Sequence, residues 1–313
     1  MNEAVTLIDV TKRYGRHTAV DRFNLRVEAG EILGFLGPNG AGKTTTIRMI
    51  MSILYPDTGD VRVLGRPRAL DVKDRIGYLP EERGLYRKMT VDATLTYFGQ
   101  LKGLRGGELR RRIAESLERV GLADWRRKKV EALSKGMQQK LQFVAAILHQ
   151  PELVILDEPF SGLDPINMQI LQDLMVELRR RGATVIFSTH QMEQAQRMCD
   201  RLVLINRGRK LIEGTMAEIR AATPVRMVTL EGEGDFRPLE SAAGVARAHV
   251  TASRAELEIN PETDTDKLLR RAMEIARLRR FEIHQPDLHD IFVRLVGDDA
   301  PTEPAALPAG VGG

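Results

Sequence analysis

Eight consecutive residues constrain this chain more than any other feature. Gly37-Pro38-Asn39-Gly40-Ala41-Gly42-Lys43-Thr44 has the form Gly-x4-Gly-Lys-Thr, follows the apolar run Ile32–Leu36 and opens a helical pattern. A string of this form arises by chance in about 1% of chains this long, and the strand-before, helix-after setting lowers that further. Its residue types answer to one chemistry. Glycines let the backbone curl until successive N–H groups point inward at phosphate oxygens, and the helix start adds its positive end. Lys43 reaches the β- and γ-phosphates, the Thr44 hydroxyl ligates Mg2+, and Thr45 belongs to the same phosphate-binding start of the helix.

The surrounding pattern is that of an α/β domain. Val5 and Leu7, then Phe23, Leu25 and Val27, alternate with polar residues as half-buried strands do. Ile32–Leu36 and residues 153–156, 185–187 and 202–205 are continuous apolar runs, the pattern of parallel strands covered on both faces. Helical spacing joins Leu109, Ile113, Leu117 and Val120, and again Ile170, Leu171, Leu174 and Leu178. This domain is predicted over residues 1–222. From Thr223-Pro224 the texture changes to short strands at 225–230, 245–250 and 257–259. An amphipathic helix at 267–279 and a last apolar pattern, Leu288, Ile291, Phe292 and Leu295, complete a small α+β domain predicted over 223–297. Residues 298–313, rich in Pro, Ala and Gly, read as a disordered tail.

Two further strands end in polar residues at the edge where α/β sheets bind ligands. The run 153–156 leads into Asp157-Glu158: the first carboxylate would hold Mg2+, and the second would accept a proton from, or orient, the water that attacks the γ-phosphate. The run 185–187 leads into Ser188-Thr189-His190, where a neutral imidazole can donate a hydrogen bond to the γ-phosphate. Three strand ends thus converge on one triphosphate. Asp164, followed by Pro165, is explained by a helix N-cap and is also a candidate for a nucleotide-linked role. Tyr14 can stack on adenine or cover the sheet edge.

Composition removes other classes. Apolar runs such as 143–148 fall far short of the roughly 20 residues of a membrane span, and Met1-Asn2-Glu3-Ala4 begins no leader pattern. The chain is therefore expected to be neither secreted nor integral to a membrane. Cys199 is the only cysteine, so no internal disulfide forms. With 47 basic against 43 acidic residues the net charge is +4, which leaves nucleic acid or an anionic membrane surface open as partners. The cluster Arg126-Arg127-Lys128-Lys129 reads as a solvated face or a membrane-surface contact.

Over roughly residues 3–220 the chain resembles the nucleotide-binding subunit of ATP-binding cassette (ABC) transporters. Leu133-Ser134-Lys135-Gly136-Met137-Gln138-Gln139 looks like that family's signature motif, Ser161-Gly162-Leu163-Asp164-Pro165 like its D-loop and His190 like its switch histidine. The resemblance implies a P-loop NTPase-type parallel sheet core with an antiparallel β part and a helical subdomain. It implies ATP with Mg2+, adenine stacked on Tyr14, and two domains head to tail as a homodimer or a paired ATPase subunit. Ser134 and Gly136 of one would cover ATP bound at Lys43 of the other. Lys135 and Met137 depart from the usual Gly and Gln, and Glu81 stands where the coupling loop usually carries Gln. These variants and the C-terminal unit resemble the bacterial drug- and sodium-export branch. There the ATPase, cytoplasmic and peripheral on the inner face of the membrane, is a separate polypeptide from its multi-span permease, with no specific nucleic acid expected. The alternative is a soluble ABC ATPase acting on nucleic acid or ribosomes.

Overall fold

The computed structural model describes residues 3–82 and 84–298, and the chain divides into two compact units after Ile219. The predicted tail, apart from Asp298, lies outside the described residues. In the first unit the order is β1 (Glu3–Tyr14), β2 (His17–Glu28), β3 (Ile32–Leu36), α1 (Lys43–Ile50), β4 (Thr58–Val63), β5 (Ile76–Leu79), α2 (Val91–Leu101) and α3 (Gly106–Arg119). Then come α4 (Lys135–Ile147), β6 (Leu153–Asp157), α5 (Pro165–Arg180), β7 (Thr184–Thr189), α6 (Met192–Met198), β8 (Arg201–Asn206) and β9 (Arg209–Gly214). The division itself falls inside α7 (Met216–Ala222).

A six-stranded sheet in the order β5-β6-β7-β3-β8-β9 is parallel except for β9 at its edge. Every residue of β3, β6 and β7 is buried, which is why these strands are apolar without alternation. The antiparallel sheet β2-β1-β4 does alternate: Phe23, Leu25 and Val27 are buried, while Asn24, Arg26 and Glu28 face solvent. The core clusters Leu7, Phe23 and Leu25 with Phe35, Ile47, Ile155 and Val203. Phe23 meets Phe35 edge to face at 5.6 Å. Each such buried side chain contributes about 1.5–3 kcal/mol.

Strand register sets up the site. Asp157 pairs with Ser188, and Ser188 with Phe35, so β6, β7 and β3 end level with one another. The loops that follow all leave from the same edge of the sheet.

The second unit holds β10 (Arg226–Gly234), β11 (Val245–Val250), β12 (Arg254–Ile259), α8 (Thr265–Ile275), β13 (Ala276–His284) and α9 (Leu288–Asp298). Its antiparallel sheet, β11-β12-β10-β13, shares a core with α8 made of Val228, Leu230, Phe236, Leu257, Ile259, Leu268 and Ala272. The helix expected over 267–279 ends at Ile275, and Ala276 is already extended (φ −150°, ψ 150°). From there the chain pairs with β10, with Leu278 opposite Gly232 and Ala276 opposite Gly234. A Cβ on Gly232 would lie 2.4 Å from the Arg277 carbonyl oxygen, so these glycines let β13 close against the sheet.

Candidate nucleotide site

The loop between β3 and α1 is shaped by two glycines. Gly42 has φ +107°, and a Cβ there would lie 2.5 Å from the Ala19 carbonyl oxygen. A Cβ on Gly37 would lie 2.2 Å from the Ile205 carbonyl oxygen. Gly42 is also the N-cap of α1. It brings no capping side chain, and the first turn holds no acid. By contrast, α2, α4, α5 and α8 are capped by Thr90, Ser134, Asp164 and Asp264. An uncapped helix start with no acid nearby is a ready site for phosphate.

Lys43 is buried, and its Nζ donates to the carbonyl oxygens of Gly37 (2.7 Å) and Pro38 (3.2 Å). Glu158 Oε1 lies 3.5 Å from the same ammonium. The Thr44 hydroxyl donates to Asp157 Oδ1 at 3.3 Å. Ser188 Oγ donates to that same oxygen at 2.5 Å while accepting from the Glu158 N–H at 2.9 Å. Glu158 sits at φ +48°, a left-handed conformation uncommon for a non-glycine residue and found at functional sites. His190 Nδ1 is 3.1 Å from Glu158 Oε2. Gly42, Asp157, Glu158 and His190 therefore share one region, as the three-strand reading expects.

Asp157 is fully buried, and its Oδ2 has no hydrogen-bond partner. A buried carboxylate oxygen left without a donor calls for a cation. Among the described residues no group of three His, Cys, Asp or Glu side chains could hold a metal by itself. Thr44 and Asp157 instead suit Mg2+, which binds through one or two carboxylates and completes its shell with substrate phosphates and water.

These groups open into a cleft of about 480 Å³ lined by Tyr14, His17, Ala19, Pro38, Asn39, Gly40, Ala41, Gly42, Lys43, Thr44, Thr45, Glu81 and Glu158. Tyr14 ends β1 half-exposed, with Lys12 Nζ 5.9 Å from its ring centre. His17 was not singled out by the sequence reading. It pairs with Tyr14 across the hairpin, and the Gly15-Arg16 turn between them was the legible signal. Ser188 was likewise read only as part of a strand end, although its place beside Asp157 follows once β6 and β7 pair.

Of the expected residues, Gly37, Asp157 and His190 lie behind or beside the cleft without lining it, and Ser134, Gly136 and Asp164 also stand outside it. Ser134 caps α4, accepting from the Met137 N–H at 3.2 Å. A Cβ on Gly136 would meet Leu163 at 3.3 Å, so the Ser134-Gly136 turn lies beside the 161–163 segment. Asp164 caps α5, accepting from the Asn167 N–H at 3.0 Å and the Asn167 side-chain amide at 2.5 Å. Those two bonds hold its carboxyl below the ordinary range. Farther along α4, Gln142 Nε2 donates to the carbonyl oxygens of Pro80 (3.4 Å) and Glu82 (3.3 Å), tying the Glu81 loop to the helix that Ser134 begins.

A phosphate loop at the end of a central parallel strand, with acidic and histidine-bearing strand ends beside it, defines a P-loop nucleotide-binding protein. Residues 20–161 match the family described as ABC transporter, and residues 214–296 match the C-terminal domain of DrrA1-3-like ATP-binding proteins. The ABC transporter ATP-binding protein YhaQ of Bacillus subtilis is 41% identical over 293 residues, covering 94% of this chain and 98% of that one. The daunorubicin resistance ATP-binding protein DrrA3 of Streptomyces coeruleorubidus is 35% identical, covering 97% and 99%. A solved ATP-binding subunit of an ABC transporter superposes with a TM-score of 0.66 at 32% identity, covering 70% of this chain and 93% of that one. The chain belongs to the ATP-binding subunits of ABC transporters, and it is an ATPase with a DrrA-like C-terminal domain. Among the described residues no helix is long and apolar enough to cross a membrane.

Proposed function

We propose that this chain hydrolyses Mg·ATP to drive export through a separate membrane permease, peripheral on the cytoplasmic face, with each ATP held between two ATPase subunits. The observation that carries the reading is the cluster of Lys43, Thr44, Asp157, Glu158 and His190 at one sheet edge. In this reading the curled 37–42 backbone, the α1 start and the Lys43 ammonium bind the β- and γ-phosphates. Thr44 and Asp157 would hold the Mg2+, which would supply charge neutralisation at the phosphates. Glu158 orients the attacking water or takes its proton, and the left-handed backbone beneath it aims the carboxylate. His190 would donate to the γ-phosphate, Tyr14 would stack on adenine and Glu81 would approach the attacking water or the Mg2+.

Ser134 and Gly136, which stand outside the cleft of their own chain, would cover the ATP of a partner chain. A hydroxyl and backbone N–H groups at the start of α4 suit a γ-phosphate, and Asp164 in the adjoining segment would face the same junction. An apolar groove of about 360 Å³ lined by Tyr78, Pro80, Leu85, Phe98, Leu101 and Gln142 adjoins the Glu81 loop and fits a segment of the permease. Related proteins named for daunorubicin resistance and Nod factor export support the direction of transport.

Mixing two singly defective chains tests the shared site. Lys43→Ala and Ser134→Ala are each expected to be nearly inactive alone. Their mixture should regain part of the hydrolysis, because one of the two composite sites is then intact. No recovery in a mixture that demonstrably pairs would refute the shared site.

A further inference from the structure

The basic cluster 126–129 is not used by the nucleotide site, and the fold gives it company. Residues 87–92 and 126–131 run side by side, joined by bonds from the N–H groups of Val91, Asp92, Val130 and Glu131 to the carbonyl oxygens of Lys128, Arg126, Met89 and Arg87, all at 2.9–3.0 Å. Thr90 and Lys129 form an antiparallel bridge within this pairing. Arg87 and Lys88 are thereby held beside Arg127, Lys128 and Lys129, and all five side chains are exposed.

The local carboxylates do not cancel this charge. Asp92 is taken by Arg126 at 2.5 Å and Glu131 lies 3.8 Å from Lys129. Asp92 and Glu131 are the only acids in these two segments, with Asp124 just before the second, whereas Arg87, Lys88, Arg127 and Lys128 have no ion-pair partner among the described residues. Next to Arg87 in sequence, Tyr86 is half-exposed and packs edge-on against Tyr97 at 5.5 Å. Cations beside exposed tyrosines are the composition of a membrane–water interface.

We propose that this ledge contacts anionic phospholipid headgroups, so that the subunit touches the lipid surface directly as well as through a permease. A field of headgroups pairs with all four free cations without demanding a fixed register, which a single acidic partner segment would need. The inference rests on the proposed reading that the subunit works peripherally on a membrane, but its test uses no permease, so the two can fail separately.

The test is flotation of the purified full chain with phosphatidylcholine vesicles, with and without a third of phosphatidylglycerol, at low and high salt. The chain should float with the anionic vesicles only, and salt should release it. Each cation replaced by Gln among Arg87, Lys88, Arg127 and Lys128 should weaken partitioning by about fivefold. ATP hydrolysis by the quadruple variant should be unchanged, which also shows that it folds. The paired variant Arg87→Lys, Arg127→Lys should float like the parent. Equal flotation with neutral vesicles, no flotation with anionic ones, or a quadruple variant that partitions like the parent would overturn the proposal. So would tighter binding to duplex DNA than to anionic vesicles, which would assign the ledge to nucleic acid.

Discussion

At the scale of single residues, the site divides into groups that would touch the nucleotide and groups that hold them. Glu158 is in the first set. Glu158→Gln keeps the shape but removes the base, so hydrolysis should fall by about a hundredfold to ten-thousandfold. ATP affinity, measured by nucleotide binding at equilibrium, should persist, and ordinary phosphate release from this variant would remove Glu158 from the chemistry. Ser188 is in the second set, because its hydroxyl bridges Asp157 and the Glu158 backbone. Ser188→Ala should lower turnover by about 10- to 100-fold, the usual loss when a residue that orients a metal ligand is removed. Added Mg2+ should recover part of that loss if the defect lies in holding the ion. Glu158 and His190 were legible in the sequence because strand ends carry ligand-binding residues. Ser188 was not, since its role depends on which strand lies beside which.

At the scale of elements, the phosphate loop depends on how closely β8 and β2 approach it. Gly37→Ala would drive a Cβ into the Ile205 carbonyl oxygen, at a cost of about 1–3 kcal/mol. A lowered melting temperature together with weakened ATP binding is expected, and full retention of both would show that the loop has more room. A second element-level test concerns the loop after α4. His149 is partly buried, with Nε2 3.2 Å from the Ile76 carbonyl oxygen. Burial first, and then the nearby Lys102 ammonium, push its pKa down to about 4. The folded chain therefore keeps His149 neutral where the unfolded chain takes up a proton, below an ordinary value of about 6.5. This residue's effect on stability should be nil above that value and should grow more unfavourable as pH falls from about 6.5 to about 4. Urea midpoints near neutrality and near pH 5 should diverge less in His149→Gln than in the parent. The parallel strands were readable as apolar runs because burial on both faces suppresses alternation. The end of α8 was not. Ile275 and Ala276 continue a helical spacing, and only the glycines of β10 admit β13 so closely.

At the scale of the whole molecule, the two groups that the proposed function treats as half-sites do not meet within one chain. Lys43, Thr44 and Glu158 line the cleft, while Ser134 and Gly136 lie beside the 161–163 segment of the same unit. The sequence could show both motifs, but their separation required the fold. The C-terminal unit, expected over 223–297, was marked in the sequence by a change in texture, and the division of the chain falls after Ile219. The account's central claim is that ATP joins two copies through these half-sites. Sedimentation of Glu158→Gln with and without Mg·ATP tests it most directly. The account predicts a monomer that becomes a dimer on adding Mg·ATP, and a monomer throughout when Ser134→Ala is added to the same chain. A variant that binds ATP yet stays monomeric, or a dimer indifferent to Ser134, would contradict it.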